Sequence, residues 1–206
     1  DPTERNCFIG ATVATNASGA RTFKYGATRN YVLGLRIILP DGEIIAIERE
    51  QYFANRYEVN IKTESGKVIS FEVPDYKMPK TKNAAGYYCK ENMDLIDFFI
   101  GSEGTLGIIS EIKLKLIDKP KKVLSCVAFF PKEENALYFI DEARELRQNN
   151  SPFSKARALE FFDAKALRFL QKDYPNIPKL SQAAVWFEED CNTDIDDIIE
   201  NWISLL

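Results

Sequence analysis

The sequence holds 206 residues, 45% of them hydrophobic, with 27 basic and 31 acidic side chains and a formal net charge of −4. That is enough apolar material for one large core or two smaller ones, which excludes a disordered chain, and the charge balance leaves no footprint for a polyanion such as nucleic acid. Histidine is absent, so the commonest general base and metal ligand is missing from these residues.

The four cysteines, Cys7, Cys89, Cys126 and Cys191, lie far apart without a C-x-x-C pair. This gives neither a metal signature nor a disulfide framework, and reduced thiols are the simplest account. Residues 1–5 show neither the basic nor the apolar region of a secretory signal. No apolar run approaches the roughly 18 residues that span a bilayer. The chain therefore reads as cytoplasmic, with attachment at the membrane periphery as the alternative.

In chain order, Tyr31 to Leu39 is an apolar, β-branched run that stops at Pro40-Asp41-Gly42, and Glu43 to Ile47 returns from that turn. The pattern predicts a hairpin, because Pro pre-sets φ and Gly accepts positive φ. Tyr57 to Thr63 and Lys67 to Val73 alternate around Glu64-Ser65-Gly66 and predict a second hairpin. Pro74 to Tyr88, with two prolines and several lysines, reads as a surface loop. Asn92 is placed to cap a helix from Met93 to Ile100, and Leu106 to Ile117 alternates as a strand.

Asp118-Lys119-Pro120-Lys121-Lys122 reads as a boundary. Beyond it the rhythm changes to alternating strands and helices: a strand from Val123 to Phe130, then a helix from Lys132 to Gln148 with Leu137, Ile140, Ala143 and Leu146 on one face. A strand from Ala158 to Phe162, a helix from Asp163 to Lys172, a strand from Ala183 to Glu188 and an amphipathic helix from Asp194 to Leu206 follow. The last helix runs out without a cap, which suggests a truncated chain. The expected class is α+β: residues 1–118 as a mainly antiparallel domain, residues 123–206 as the start of a second one.

Two segments carry the chemistry. Ile9 to Ala20 (Ile-Gly-Ala-Thr-Val-Ala-Thr-Asn-Ala-Ser-Gly-Ala) is a run of small residues that lets the backbone approach a planar or phosphorylated ligand, with Thr15, Asn16 and Ser18 as hydrogen-bonding groups. A tight, alanine-rich loop or helix start packed under a sheet is the competing reading. Ile100 to Ile109 (Ile-Gly-Ser-Glu-Gly-Thr-Leu-Gly-Ile-Ile) places three glycines and two hydroxyls between a helix and a strand. It lacks the lysine of a P-loop and does not open a helix after a strand, so neither an NTPase nor a Rossmann reading fits.

Six blocks in one order make these segments specific: Cys7 to Gly10, Ala14 to Gly19, Lys24 to Arg29, Val32 to Leu35, Leu39 to Glu43 and Phe99 to Ile109. In this order the sequence resembles the FAD-linked oxidases of the vanillyl-alcohol oxidase type fold, close to the glycolate oxidases and D-lactate dehydrogenases. Residues 1 to about 120 carry the resemblance, and Leu159-Glu160-Phe161-Phe162-Asp163 is a weaker echo of that family's cap domain.

The resemblance implies an antiparallel-sheet FAD-binding subdomain at 1–118 and the beginning of a substrate or cap domain at 123–206. It implies FAD contacts from Ile9, Gly10, Thr15, Asn16, Ser18 and Gly19 in the first segment. Glu103, Gly104, Gly107, Ile108 and Ile109 are the implied contacts of the second, largely through the main chain. Arg21, Lys24 and Arg29 fall near an anionic ligand by position, with ordinary surface or helix-end cations as the other reading. Tyr25 and Tyr31 are expected in the core. Cys7, just before the loop, is expected as a small buried residue, and Glu160 is a candidate for the substrate side, with a surface or capping carboxylate as the favoured reading. The family's pyrophosphate loop and histidine-bearing segment have no counterpart here, so the chain reads as a fragment, and no catalytic residue is assigned. The implied activity is oxidation of a 2-hydroxy acid of the glycolate or D-lactate type by hydride transfer to FAD, with an iron–sulfur or flavoprotein subunit as electron acceptor. A non-catalytic flavin-binding or structural subunit of an oxidase complex is the alternative.

Overall fold

The computed structural model describes residues 6–148, 156–191 and 194–206; residues 1–5, read above for a secretory signal, lie outside them. The chain forms two compact units, one from residues 1–19 and 27–117, the other from Ala20–Gly26 and 118–206. The chain thus passes into the second unit for seven residues, Ala20 to Gly26, directly after the first small-residue segment.

In the first unit, helix α1 (Ile9–Ala14) precedes strands β1 (Val32–Ile38) and β2 (Ile44–Glu48), which pair antiparallel around the Pro-Asp-Gly turn. Strand β5 (Ile108–Leu114) joins the other edge of β1 and gives a three-stranded sheet in the order β2-β1-β5. The second hairpin, β3 (Glu58–Lys62) and β4 (Val68–Glu72), pairs by itself. Alternation does what the sequence pattern asks: Leu35, Ile37, Ile45, Ile47, Val59 and Ile61 point inward and share one core with Leu95, Ile96, Phe98 and Phe99.

The helix expected over Met93–Ile100 shrinks to one turn, α3 (Ile96–Phe99). Its missing start is spent on other partners. Met93 O accepts from Ala54 N, Leu95 N donates to Tyr52 O, and Asn92 Oδ1 accepts from Arg56 N instead of capping. Backbone groups already paired with residues 52–56 have none left for a helical turn.

The second unit contains α2 (Thr22–Tyr25), from the early excursion, and a sheet in the order β6-β8-β7. Its strands are β6 (Lys122–Phe130), β7 (Ala156–Asp163) and β8 (Ala183–Cys191), with helices α4 (Glu133–Gln148), α5 (Ala164–Leu170) and α6 (Ile195–Ile203). Asp163 caps α5 by accepting from Ala166 N at 2.7 Å, and Asp194 caps α6 through Asp196 N.

The buried stripe of α4 is Ala136, Phe139, Ile140 and Ala143, whereas Leu137 of the expected face is 46% exposed. Phe139 decides this rotation, because its ring packs against Phe130, Phe187 and Trp202 with centroids 5.5–5.7 Å apart. Helix α6 ends at Ile203, with Ser204 N bonded to Glu200 O, three residues short of the expected run to Leu206.

Candidate functional site

The fold brings the two glycine-rich segments together. Helix α1 lies against β5, and the turn before β5 is hydrogen-bonded to the end of α1: Gly101 N donates to Val13 O at 3.1 Å and Glu103 N to Ala14 O at 2.9 Å. The first segment, for which a tight loop or helix start packed under a sheet is the competing reading, begins as a six-residue helix followed by a turn at Asn16. Asn16 has φ 46°, a left-handed conformation that asparagine tolerates better than most residues, and it is buried. Its Oδ1 accepts from Arg29 N at 3.1 Å.

Arg29 is the joint between the two segments. Besides the amide bonded to Asn16, its Nη2 donates to Ile100 O at 3.0 Å, and its Nη1 donates to Asp97 O and Oδ1 at 2.9 and 3.0 Å. The guanidinium also lies over the Tyr88 ring at 4.1 Å. Burial draws its proton affinity below the usual arginine value, and Asp97 works in the opposite direction. Asp97 is shared with Arg49, which in turn donates to Arg29 O at 2.9 Å. Two planar forks thus hold carbonyls from several stretches of chain in fixed relation.

The glycines divide into two kinds. At Gly101, φ is +85° and an added Cβ would stand 3.1 Å from Asn16 Cβ; at Gly107, φ is +154° and a Cβ would stand 2.7 Å from Ile38 O. These two are required by the packing of the segments on each other and of the turn on β1. At Gly10 and Gly104 a Cβ would meet nothing within 4 Å. There the backbone lies bare on the exposed side of the two segments.

Around the bare positions the surface is apolar: Phe8, Ile9 and Ile108 are 82, 55 and 69% exposed. Glu103 and Thr15 are exposed as well, and the Thr15 hydroxyl donates to Ala11 O at 2.9 Å. Ser18 and Gly19 are half-buried, and Ile109 is half-buried opposite Ile37 in the sheet. All eleven candidate cofactor residues lie in the first unit. A bare main chain, small side chains and exposed aliphatic groups are what a flat heteroaromatic ring with a phosphate-bearing tail requires, so the residues present fit FAD.

The cations expected near an anion separate. Only Arg29 belongs with the candidate residues, and it is spent on carbonyls and Asp97. Arg21 and Lys24 belong to the second unit, where Arg21 forks onto Glu188 at 2.7 and 3.0 Å and Lys24 meets Asp190 at 2.5 Å. Tyr25, expected in the core, is half-buried with its hydroxyl on Asp190. Arg157, buried, completes this cluster with contacts to Glu188 at 3.3 Å and Asp190 at 2.7 Å. Tyr31 is also half-buried. So is Cys7, whose sulfur accepts from the Thr12 hydroxyl at 3.5 Å, while Glu160 is exposed on β7. Neither Arg157 nor the triplet Glu188-Glu189-Asp190 stands out in the sequence, because nothing local marks a charge that the fold will bury.

Two glycine-rich turns bonded to each other beside an antiparallel sheet, with a bare apolar surface, define an α+β domain suited to a flavin or a nucleotide. Residues 2–48 match the family model described as an FAD binding domain. The chain is 30% identical to a D-lactate dehydrogenase of Anaerostipes hadrus over 97% of its own length and 35% of the relative's. It is 32% identical to the glycolate oxidase subunit GlcD of Bacillus subtilis over 88% of this chain and 30% of that one. A solved alkyldihydroxyacetonephosphate synthase, 15% identical, superposes with a TM-score of 0.55 over 96% of this chain and 31% of that one, a likeness of fold. The chain belongs to the FAD-linked oxidase family, and FAD is the cofactor of this domain. It spans about a third of the length of these relatives.

Proposed function

We propose that the protein containing this chain oxidises a 2-hydroxy acid, and that these residues supply one wall of its FAD site. The observation that carries the reading is the pair of bonds from Gly101 N to Val13 O and from Glu103 N to Ala14 O, which makes one surface of two segments far apart in sequence. On that surface Ile9 and Ile108 would lie against the ring system. Gly10 and Gly104 would let it come close, and Thr15, Ser18, Gly19 and Glu103 would bond its polar edges. Asn16, Gly107 and Ile109 hold the turn and sheet beneath. FAD, when bound, supplies the hydride acceptor; the chain's part is to position it and exclude water.

Relatives named D-lactate dehydrogenase, glycolate oxidase subunit and D-2-hydroxyglutarate dehydrogenase support a 2-hydroxy acid as the substrate class. On this reading residues 1–118 are the second part of the FAD-binding domain and 123–206 begin the cap. An iron–sulfur or flavoprotein subunit takes the electrons, and the protein works in the cytoplasm or at the membrane periphery. Among the described residues no helix is long and apolar enough to cross a membrane.

The test is anaerobic spectroscopy of the whole protein. It should purify with a flavin spectrum that bleaches on addition of D-lactate, glycolate or D-2-hydroxyglutarate. A flavin-loaded protein that no 2-hydroxy acid reduces would overturn the substrate class.

A further inference from the structure

The loop between β4 and α3 reads in the sequence as plain surface, yet it is tied to each part of the site. Its own shape is fixed first. The Tyr76 hydroxyl donates to Tyr87 O, and Asn83 holds Ala85 through both its amide and its carbonyl at 3.2 Å. Three anchors then reach the site, two of them on the glycine-rich segments and one on Arg29.

Tyr88 lies under the Arg29 guanidinium, the joint of the two segments. Tyr87 meets the Thr105 hydroxyl at 2.7 Å in the second segment. Because that hydroxyl gives its proton to Ser102 O at 2.6 Å, Tyr87 is the donor. Lys82 Nζ donates to Gly19 O at 3.3 Å, at the end of the first segment.

Lys82 differs from the other lysines paired in this unit. Lys67 and Lys113 each hold a carboxylate, at 2.8 and 2.9 Å, whereas among the described residues Lys82 has no carboxylate within 4 Å. An ammonium has three protons, and one carbonyl takes only one of them. Its charge therefore stands, without a counter-ion among these residues, beside Ser18 and Gly19.

We propose that residues 76–88 form a strap over the FAD site and that Lys82 is the residue of this strap that binds the FAD phosphates. The inference rests on the FAD reading above. Lys82 acts on phosphate and not on the ring, so it discriminates between FAD, which carries phosphates, and riboflavin, which carries none.

The experiment compares FAD and riboflavin binding to the whole apoprotein by quenching of flavin fluorescence, in wild type, Lys82→Met and Lys82→Arg. Lys82→Met should weaken FAD about fivefold, the scale of a solvent-exposed ion pair. Riboflavin binding should be unchanged, and Lys82→Arg should retain FAD binding to within about twofold. If wild type takes up FAD and Lys82→Met binds it equally well, or loses FAD and riboflavin to the same degree, the role of Lys82 is overturned while the FAD reading stands. A wild-type apoprotein that takes up neither flavin overturns that reading and the strap's function with it.

Discussion

Two arginines, half-buried Arg29 and buried Arg157, organise the two units in opposite ways. Arg29 spends its donors largely on main-chain carbonyls, of Asp97 and Ile100, with one carboxylate beside it. Arg157 faces side-chain carboxylates, Glu188 and Asp190, which it shares with Arg21 and Lys24. A fork on carbonyls fixes the path of the backbone, which is what a surface made of turns needs. Forks on carboxylates fasten a short segment, Ala20–Gly26, to the unit that closes far later in the chain. The lesson is that cations a few residues apart, Arg21, Lys24 and Arg29, serve two different constructions, and neither leaves them free for a ligand.

The comparison breaks most visibly on the carboxylate side. Glu188→Ala leaves Arg157 and Arg21 short of a partner, and removing one member of a buried ion pair costs about 3–5 kcal/mol. Both tryptophans, Trp186 and Trp202, lie in the second unit. Urea unfolding followed by tryptophan fluorescence should therefore show a large shift of midpoint. An unchanged midpoint would show that the cluster holds nothing in place.

On the main-chain side the glycines give the contrast. Gly107→Ala should destabilise the β1–β5 pairing by about 2–4 kcal/mol, from positive φ together with a clash on Ile38 O. Hydrogen exchange of the β1 and β5 amides reads this directly. Gly10→Ala should leave stability within about 0.5 kcal/mol, because its Cβ meets nothing. It should weaken flavin binding on the order of tenfold, because that Cβ occupies the bare surface. Equal effects of the two substitutions on stability would remove the division between packing and cofactor glycines.

The smallest effect is in pH. Burial alone would raise the Asp190 carboxyl, but the bonds from Lys24 and Tyr25 outweigh it and hold the group below the usual carboxylate range. A group depressed in the folded state contributes its stability in full above the unfolded value of about 4 and loses it as pH falls through the folded value. The fluorescence midpoint of wild type should therefore fall more steeply below about pH 4 than that of Asp190→Asn. Parallel curves would show that Asp190 is not held in its charged form.

The strands of both hairpins were legible because alternation of period two is a local property: Val59 and Ile61 are buried wherever the sheet goes. The small-residue segments were legible too, since glycine at bare or positive-φ positions leaves a mark in composition, and the order of six blocks gave the family. Several features were not. The Met93 helix failed because residues 52–56 compete for its backbone groups. The face of α4 turned because Phe139 meets three rings supplied by other elements.

By itself, then, the sequence determined the α+β class, the two hairpins and the family, each resting on short-range pattern or on motif order. Only the tertiary structure decided that the two glycine-rich segments form one surface, that Arg21 and Lys24 belong with Glu188 and Asp190, and that the 76–88 loop reaches both segments. These are pairings between residues up to 167 positions apart. A hydrogen bond or ion pair across such a distance leaves no periodicity behind, because only the folded chain brings its two ends together.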